Sequence, residues 1–208
     1  MTFPRGLALL VAAALFMEML DATILATALP SIAQSFGVDA VDVNVAVSSY
    51  LLVLAVLIPA SGWMADRFGT RRVFISAIAV FTVASVGCAL STSLPMLVGM
   101  RALQGVGGAM MVPVGRLAVL RVTSKAELVR AIAYLTWPAL TAPVLAPAVG
   151  GAIVSIASWR WIFLINVPIG IVGFLLALRM VPDIREAQKR SLDWLGLVVI
   201  GADVAVLV

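Results

Sequence analysis

Of the 208 residues, 63% are hydrophobic and only 12% are charged, about half the charged share of an ordinary soluble domain, and the mean hydropathy is +1.15. With no histidine and one cysteine, the chain excludes histidine-dependent catalysis, disulfide frameworks and the usual transition-metal sites. Its fourteen Lys and Arg outnumber ten Asp and Glu, but they cluster in short turns between apolar runs, which is how a membrane protein is oriented and not how nucleic acid is bound.

A bilayer core of about 30 Å requires about 20 mostly apolar residues per helix, and the chain holds six such runs plus the start of a seventh. Span 1 covers residues 6–29 and is followed by "PSIAQSFGVDAVDVN", a polar turn with two Asp and no basic residue, which predicts an outer loop. Span 2, residues 43–63, leads into "GWMADRFGTRRVF" at 62–74, the most polar point of this greasy neighbourhood; its Arg67, Arg71 and Arg72 predict a cytoplasmic turn at 64–72. Span 3 occupies 73–90, and the uncharged "STSLP" returns the chain through span 4, 96–120, into "RVTSKAELVR" with Arg121, Lys125 and Arg130. Span 5 covers 131–156 and span 6 ends near Arg179, before "VPDIREAQKRSLD"; Arg160 alone breaks the bias, at an outer end.

This organisation is an all-α membrane protein, with a six-span bundle over 1–180, a cytoplasmic loop at 181–193 and an incomplete seventh span at 194–208. The N-terminus is expected on the cytoplasmic side of the cell's inner (plasma) membrane. The last fifteen residues, "WLGLVVIGADVAVLV", reach about 22 Å as a helix, short of a bilayer core. The chain is therefore expected to lack a C-terminal half as its partner and not to transport alone.

Glu18 and Asp21 lie three apart on one face of span 1, at a depth where a charge needs a cavity or a partner. Acids so placed can load and release protons in the physiological range. Arg101 and Gln104 repeat the spacing in span 4, and a guanidinium cannot shed its proton there, so Arg101 requires company; Asp21 or Glu18 are the candidates. Glycines 105, 107 and 108 permit close helix approach. Span 5 carries Pro138, Pro143 and Pro147, each removing a backbone hydrogen bond, which predicts a helix kinked along one side. Cys88, inside an apolar run, reads as a packing residue.

These stretches together resemble the major facilitator superfamily over essentially the whole chain. Gly62, Asp66, Arg67, Gly69 and Arg71 match its signature turn between spans 2 and 3, with Thr70 where a basic residue is usual. "RALQGVGGA", residues 101–109, matches its span 4 motif, which the resemblance associates with proton coupling. Around "APAVGG", Pro143, Pro147, Gly150 and Gly151 are similar to its antiporter motif, with Ala142 and Ala146 standing where glycines are usual. "LDATILATALP" and "WRWIFLINVPIG", with the "LDWLG" opening of span 7, are similar to the branch of fourteen-span drug:proton antiporters; Ala26 replaces a common asparagine.

The resemblance implies multidrug efflux by proton antiport, with protons and hydrophobic or cationic small molecules as substrates, membrane lipid as surroundings and no cofactor. It further implies that Asp66 and the arginines form a cytoplasmic latch, with Arg116 as the local partner of Asp66. Two other readings remain open, an importer or facilitator of the same superfamily and a truncated, non-transporting fragment. A membrane enzyme is disfavoured, because the acids are scattered and no nucleophile stands beside a base.

Overall fold

The computed structural model describes residues 4–183. Within them lie six helical stretches long and apolar enough to cross a membrane. The expected cytoplasmic loop beyond 183 and the seventh span fall outside the described residues.

The first crossing is α1 (Arg5–Phe36). It runs straight through Pro30, where the sequence predicts a loop, and stops only at Gly37 in the left-handed conformation (φ 67°). The reason is the apolar period: Ile32 and Ala33 continue the buried stripe of Ala28 and Leu25, and that burial outweighs the lost hydrogen bond of one proline.

The second crossing joins α2 (Ala40–Leu57), a single 3₁₀ turn at Ile58–Ala60 and α3 (Ser61–Phe68). Pro59 sets that turn. The predicted turn at 64–72 is therefore mostly helix: a single residue separates α3 from α4 (Thr70–Ala89), and the whole reversal rests on that residue, Gly69, at φ 91°, ψ 135°, a backbone state that only glycine adopts cheaply. Thr70 is fully buried at this corner.

The fourth crossing is α5 (Leu94–Val122), with Pro95 in its first turn where a missing N–H costs nothing. The fifth is α6 (Leu128–Ile156), one continuous helix through all three prolines. The sixth combines α7 (Trp161–Leu164) and α8 (Asn166–Met180).

Burial sorts the six. In their most apolar windows 67% of the first crossing and 61% of the fourth are buried, against 17% of the second and of the fifth. Spans 1 and 4 therefore form the inner wall of the bundle, while spans 2 and 5 show a broad apolar face that includes Val41, Val45, Trp137, Leu140 and Val144. Glycines let the inner wall close up. A Cβ on Gly107 would stand 2.7 Å from the Phe81 backbone nitrogen, and one on Gly105 2.9 Å from the Tyr50 carbonyl, so α5 touches α4 and α2 backbone to backbone, as membrane helices do when small residues face each other.

Candidate functional site

Four crossings deliver polar side chains to one point in the buried interior. Asp21 comes from α1, Ser85 from α4, Arg101 and Gln104 from α5, and Asn166 from the start of α8; all five are at most 1% exposed. Arg101 Nη1 donates to Asp21 Oδ2 at 2.5 Å and to Gln104 Oε1 at 2.8 Å. Gln104 Nε2 donates to Asp21 Oδ1 at 3.0 Å and to Ser85 Oγ at 2.9 Å. Asn166 Nδ2 donates to Asp21 Oδ1 at 2.7 Å, and the Ser85 hydroxyl donates to the Phe81 carbonyl at 2.9 Å. The Asp21 carboxylate thus accepts from three side chains on two other helices.

The guanidinium also lies over aromatic rings: Arg101 Cζ is 4.2 Å from the Tyr50 ring centroid and 5.8 Å from that of Phe163. An arginine so far from water is tolerable only with such company. The expected choice between two acids is settled by geometry, since Arg101 pairs with Asp21 and not with Glu18. Cys88, read as packing, also lies beside the cluster, its thiol 3.7 Å from Gln104 Oε1.

Glu18, one turn earlier on α1, is buried at 3% exposure, and its Oε2 makes no hydrogen bond among the described residues. Gly108 makes room for it. A Cβ there would stand 3.2 Å from Glu18 Oε1 and equally far from the Tyr50 hydroxyl. The two acids of span 1, grouped together by spacing, therefore occupy different environments.

At the other candidate site the charges disperse. Asp66 Oδ1 accepts from Arg121 Nη2 at 2.8 Å, each side chain about one-fifth exposed (20% and 21%). This corrects the expectation of Arg116. The last turn of α5 carries Arg121 past the end of α3, whereas Arg116 sits more than a turn earlier on the same helix. Arg71 Nη2 donates to the carbonyl of Leu178 at the end of α8, and the Arg67 guanidinium lies 5.5 Å from the Trp63 ring. Arg72 is exposed.

The sequence profile of the Major Facilitator Superfamily matches residues 11–201. The chain belongs to the major facilitator superfamily. It is 47% identical over 198 residues to the "Putative multidrug resistance protein MdtD" of Escherichia fergusonii and to that of Escherichia coli O139:H28, covering 95% of this chain and 42% of each relative; the chain thus spans about two-fifths of their length. Among solved structures, the xylose transporter XylE from E. coli, in a partially occluded inward-open conformation, superposes with a TM-score of 0.77 at 15% identity, over 88% of this chain and 50% of that one. The proton:xylose symporter XylE bound to 6-bromo-6-deoxy-D-glucose gives 0.76 at the same identity.

The span 5 residues of this chain fall on two faces of one helix. Ala142, Ala146 and Gly150 are buried, and a Cβ on Gly150 would crowd Ile24 Cγ1 at 2.8 Å and meet Thr27, so they form a seam against span 1. Pro143 and Pro147 are exposed on the other side, and Gly151 has open space around it. Alanines at 142 and 146 keep that seam narrow, as glycines would. Gly62 is likewise unconfined, whereas Gly69 is fixed by its backbone at φ 91°.

Three members of the buried cluster escaped sequence reasoning. Asn166 lies in a quoted stretch, and an amide inside a span is a signal in itself. Ser85 and Tyr50 carried none, because a serine and a tyrosine in membrane helices are commonplace and only packing brings them together.

Proposed function

We propose that, in the intact protein, this bundle belongs to a proton-coupled exporter of hydrophobic or cationic small molecules such as drugs, working by alternating access in the cytoplasmic membrane with the N-terminus inside. The observation that carries the reading is a carboxylate, Asp21, buried in the span interior and tied by hydrogen bonds to three neighbouring side chains. Such an acid can bind a proton only if its partners rearrange, which couples protonation to helix position. Likeness to a protein named for multidrug resistance supports export over import, as does the small-residue seam joining spans 1 and 5.

Asp21 is the proton site, and Arg101 and Gln104 hold it in the unprotonated arrangement. Glu18, facing Tyr50 and free of a hydrogen bond at Oε2, is the second acid of the translocation path. The Asp66–Arg121 pair latches the ends of spans 2 and 4 in one state and parts in the other. The apolar face of spans 2 and 5 is the surface against which a second helical bundle rocks. Everted vesicles holding the intact protein test this directly: adding a hydrophobic cation must release protons from the energised interior. An importer yields proton movement of the opposite coupling, and a non-transporting partner yields none.

A further inference from the structure

Between α1, α4 and α8 the bundle leaves an open groove of about 610 Å³ in which every lining side chain is apolar. It follows α1 from Gly6 to Met17, about 16 Å at ~1.5 Å per residue, which matches one leaflet of a core about 30 Å thick. Its wall residues Leu9 and Val172 are each 56% exposed, so it opens outward from the bundle and not into the polar cluster.

One end of this groove is basic. Gly6 and Met180, which pack together, close that end and are flanked by Arg5 and Arg179, both exposed. Helical register places all three arginines on the groove-facing sides of their helices. Arg5 precedes the wall residue Leu9 by four positions, Arg179 follows Leu176 by three, and Arg71 precedes Ile78 by two turns, each on the same helix face as its wall residue. Arg71 is held at the tip of α8 by its bond to the Leu178 carbonyl. Against these three stands Asp183, itself already engaged, so the described residues leave the mouth with a surplus of two positive charges.

The geometry points to a binding site for a phospholipid with an anionic headgroup, its acyl chain in the groove and its phosphate on Arg5 and Arg179. A cationic or neutral substrate gains nothing from three guanidinium groups at this end. An anionic amphiphile satisfies both halves of the site at once, the apolar trough by burial and the arginines by charge-assisted hydrogen bonds. The site lies apart from the Asp21 cluster and does not depend on the direction or coupling of transport.

The test is native mass spectrometry of the intact purified protein, delipidated and titrated with phosphatidylglycerol or phosphatidylcholine of the same chain length. The first phosphatidylglycerol is expected to bind at least about fivefold more tightly than phosphatidylcholine, since each surface arginine contributes roughly that factor. The double variant Arg5→Gln/Arg179→Gln should lose the preference, and Arg179→Lys should keep it. Ala13→Trp, which fills the trough, should lower the affinity for phosphatidylglycerol with every arginine in place. Lys125→Gln/Arg130→Gln, an equal loss of charge elsewhere, should change nothing. Equal binding of the two lipids by the wild type, or an equal fall in the Lys125/Arg130 control, overturns the site, and so does undiminished binding by Ala13→Trp.

Discussion

Arg101 and Asp21 are 80 residues apart in the chain and 2.5 Å apart in the fold, both with side chains no more than 1% exposed. A pair this deep is costly to assemble but far more costly to halve, because removing one charge strands the other. The pair therefore behaves as one unit.

Replacing Asp21 by Asn keeps the shape and the acceptor oxygen but removes the site that can carry a proton. Proton-driven export should vanish while membrane insertion persists. Substrate-dependent proton release from vesicles checks this, and export at the wild-type rate would move the coupling proton to Glu18 or out of span 1.

Arg101→Lys should impair transport although the charge remains. The guanidinium reaches Asp21 and Gln104 through Nη1 while its Cζ lies over the Tyr50 ring, and an ammonium is not planar and cannot serve all three partners in that way. Tyr50→Phe, which retains the ring, should be tolerated better than Tyr50→Leu. Equal transport by both Tyr50 variants would show that the ring does not position Arg101.

Asn166→Ala removes one of the three donors to the Asp21 carboxylate. Hydrogen bonds to charged groups are worth about 1.5–3 kcal/mol, so thermal unfolding in detergent should shift clearly downward. An unchanged melting profile would mean that the remaining donors suffice.

Gly150→Ala and Gly151→Ala offer a matched pair. The first pushes a methyl toward Ile24 and Thr27 on span 1, and the second meets nothing within 4 Å. Overpacking costs about 1–3 kcal/mol, so the first variant alone should lose stability and yield. Equal behaviour would separate the α1–α6 seam from these glycines.

At the helix ends, Asp66→Asn and Arg121→Gln should share one transport defect, and the swap Asp66→Arg/Arg121→Asp should recover part of it. Each side chain is about one-fifth exposed, so the loss in stability stays under about 1 kcal/mol and the effect is read in transport. Arg116→Gln should not reproduce that defect.

For sidedness, an exposed cysteine introduced at Ala40 should react with an impermeant reagent added outside whole cells, and one at Ala126 should not. Both positions are exposed, whereas Thr70 is fully buried and reports nothing. The reverse labelling would invert the topology.

What the sequence by itself determined was everything that follows from hydropathy and charge count. Six apolar runs separated by short polar turns require helices, because lipid offers no water to unpaired backbone groups. Intramembrane Asp21, Glu18, Arg101 and Gln104 were visible for the same reason, since charged and amide groups at that depth stand out against apolar neighbours. Where helices end was less legible: α1 continues through Pro30 and the charged corner shrinks to Gly69, as burial on a neighbouring helix outweighs local propensity. Only the tertiary structure decided who pairs with whom. That Asp21 takes Arg101 and leaves Glu18 beside Tyr50, and that Asp66 takes Arg121 and not Arg116, depends on how far each helix slides and turns against the next. Ångström-scale packing of small residues such as Gly105, Gly107 and Gly150 sets those offsets, and no periodicity along a single helix encodes them.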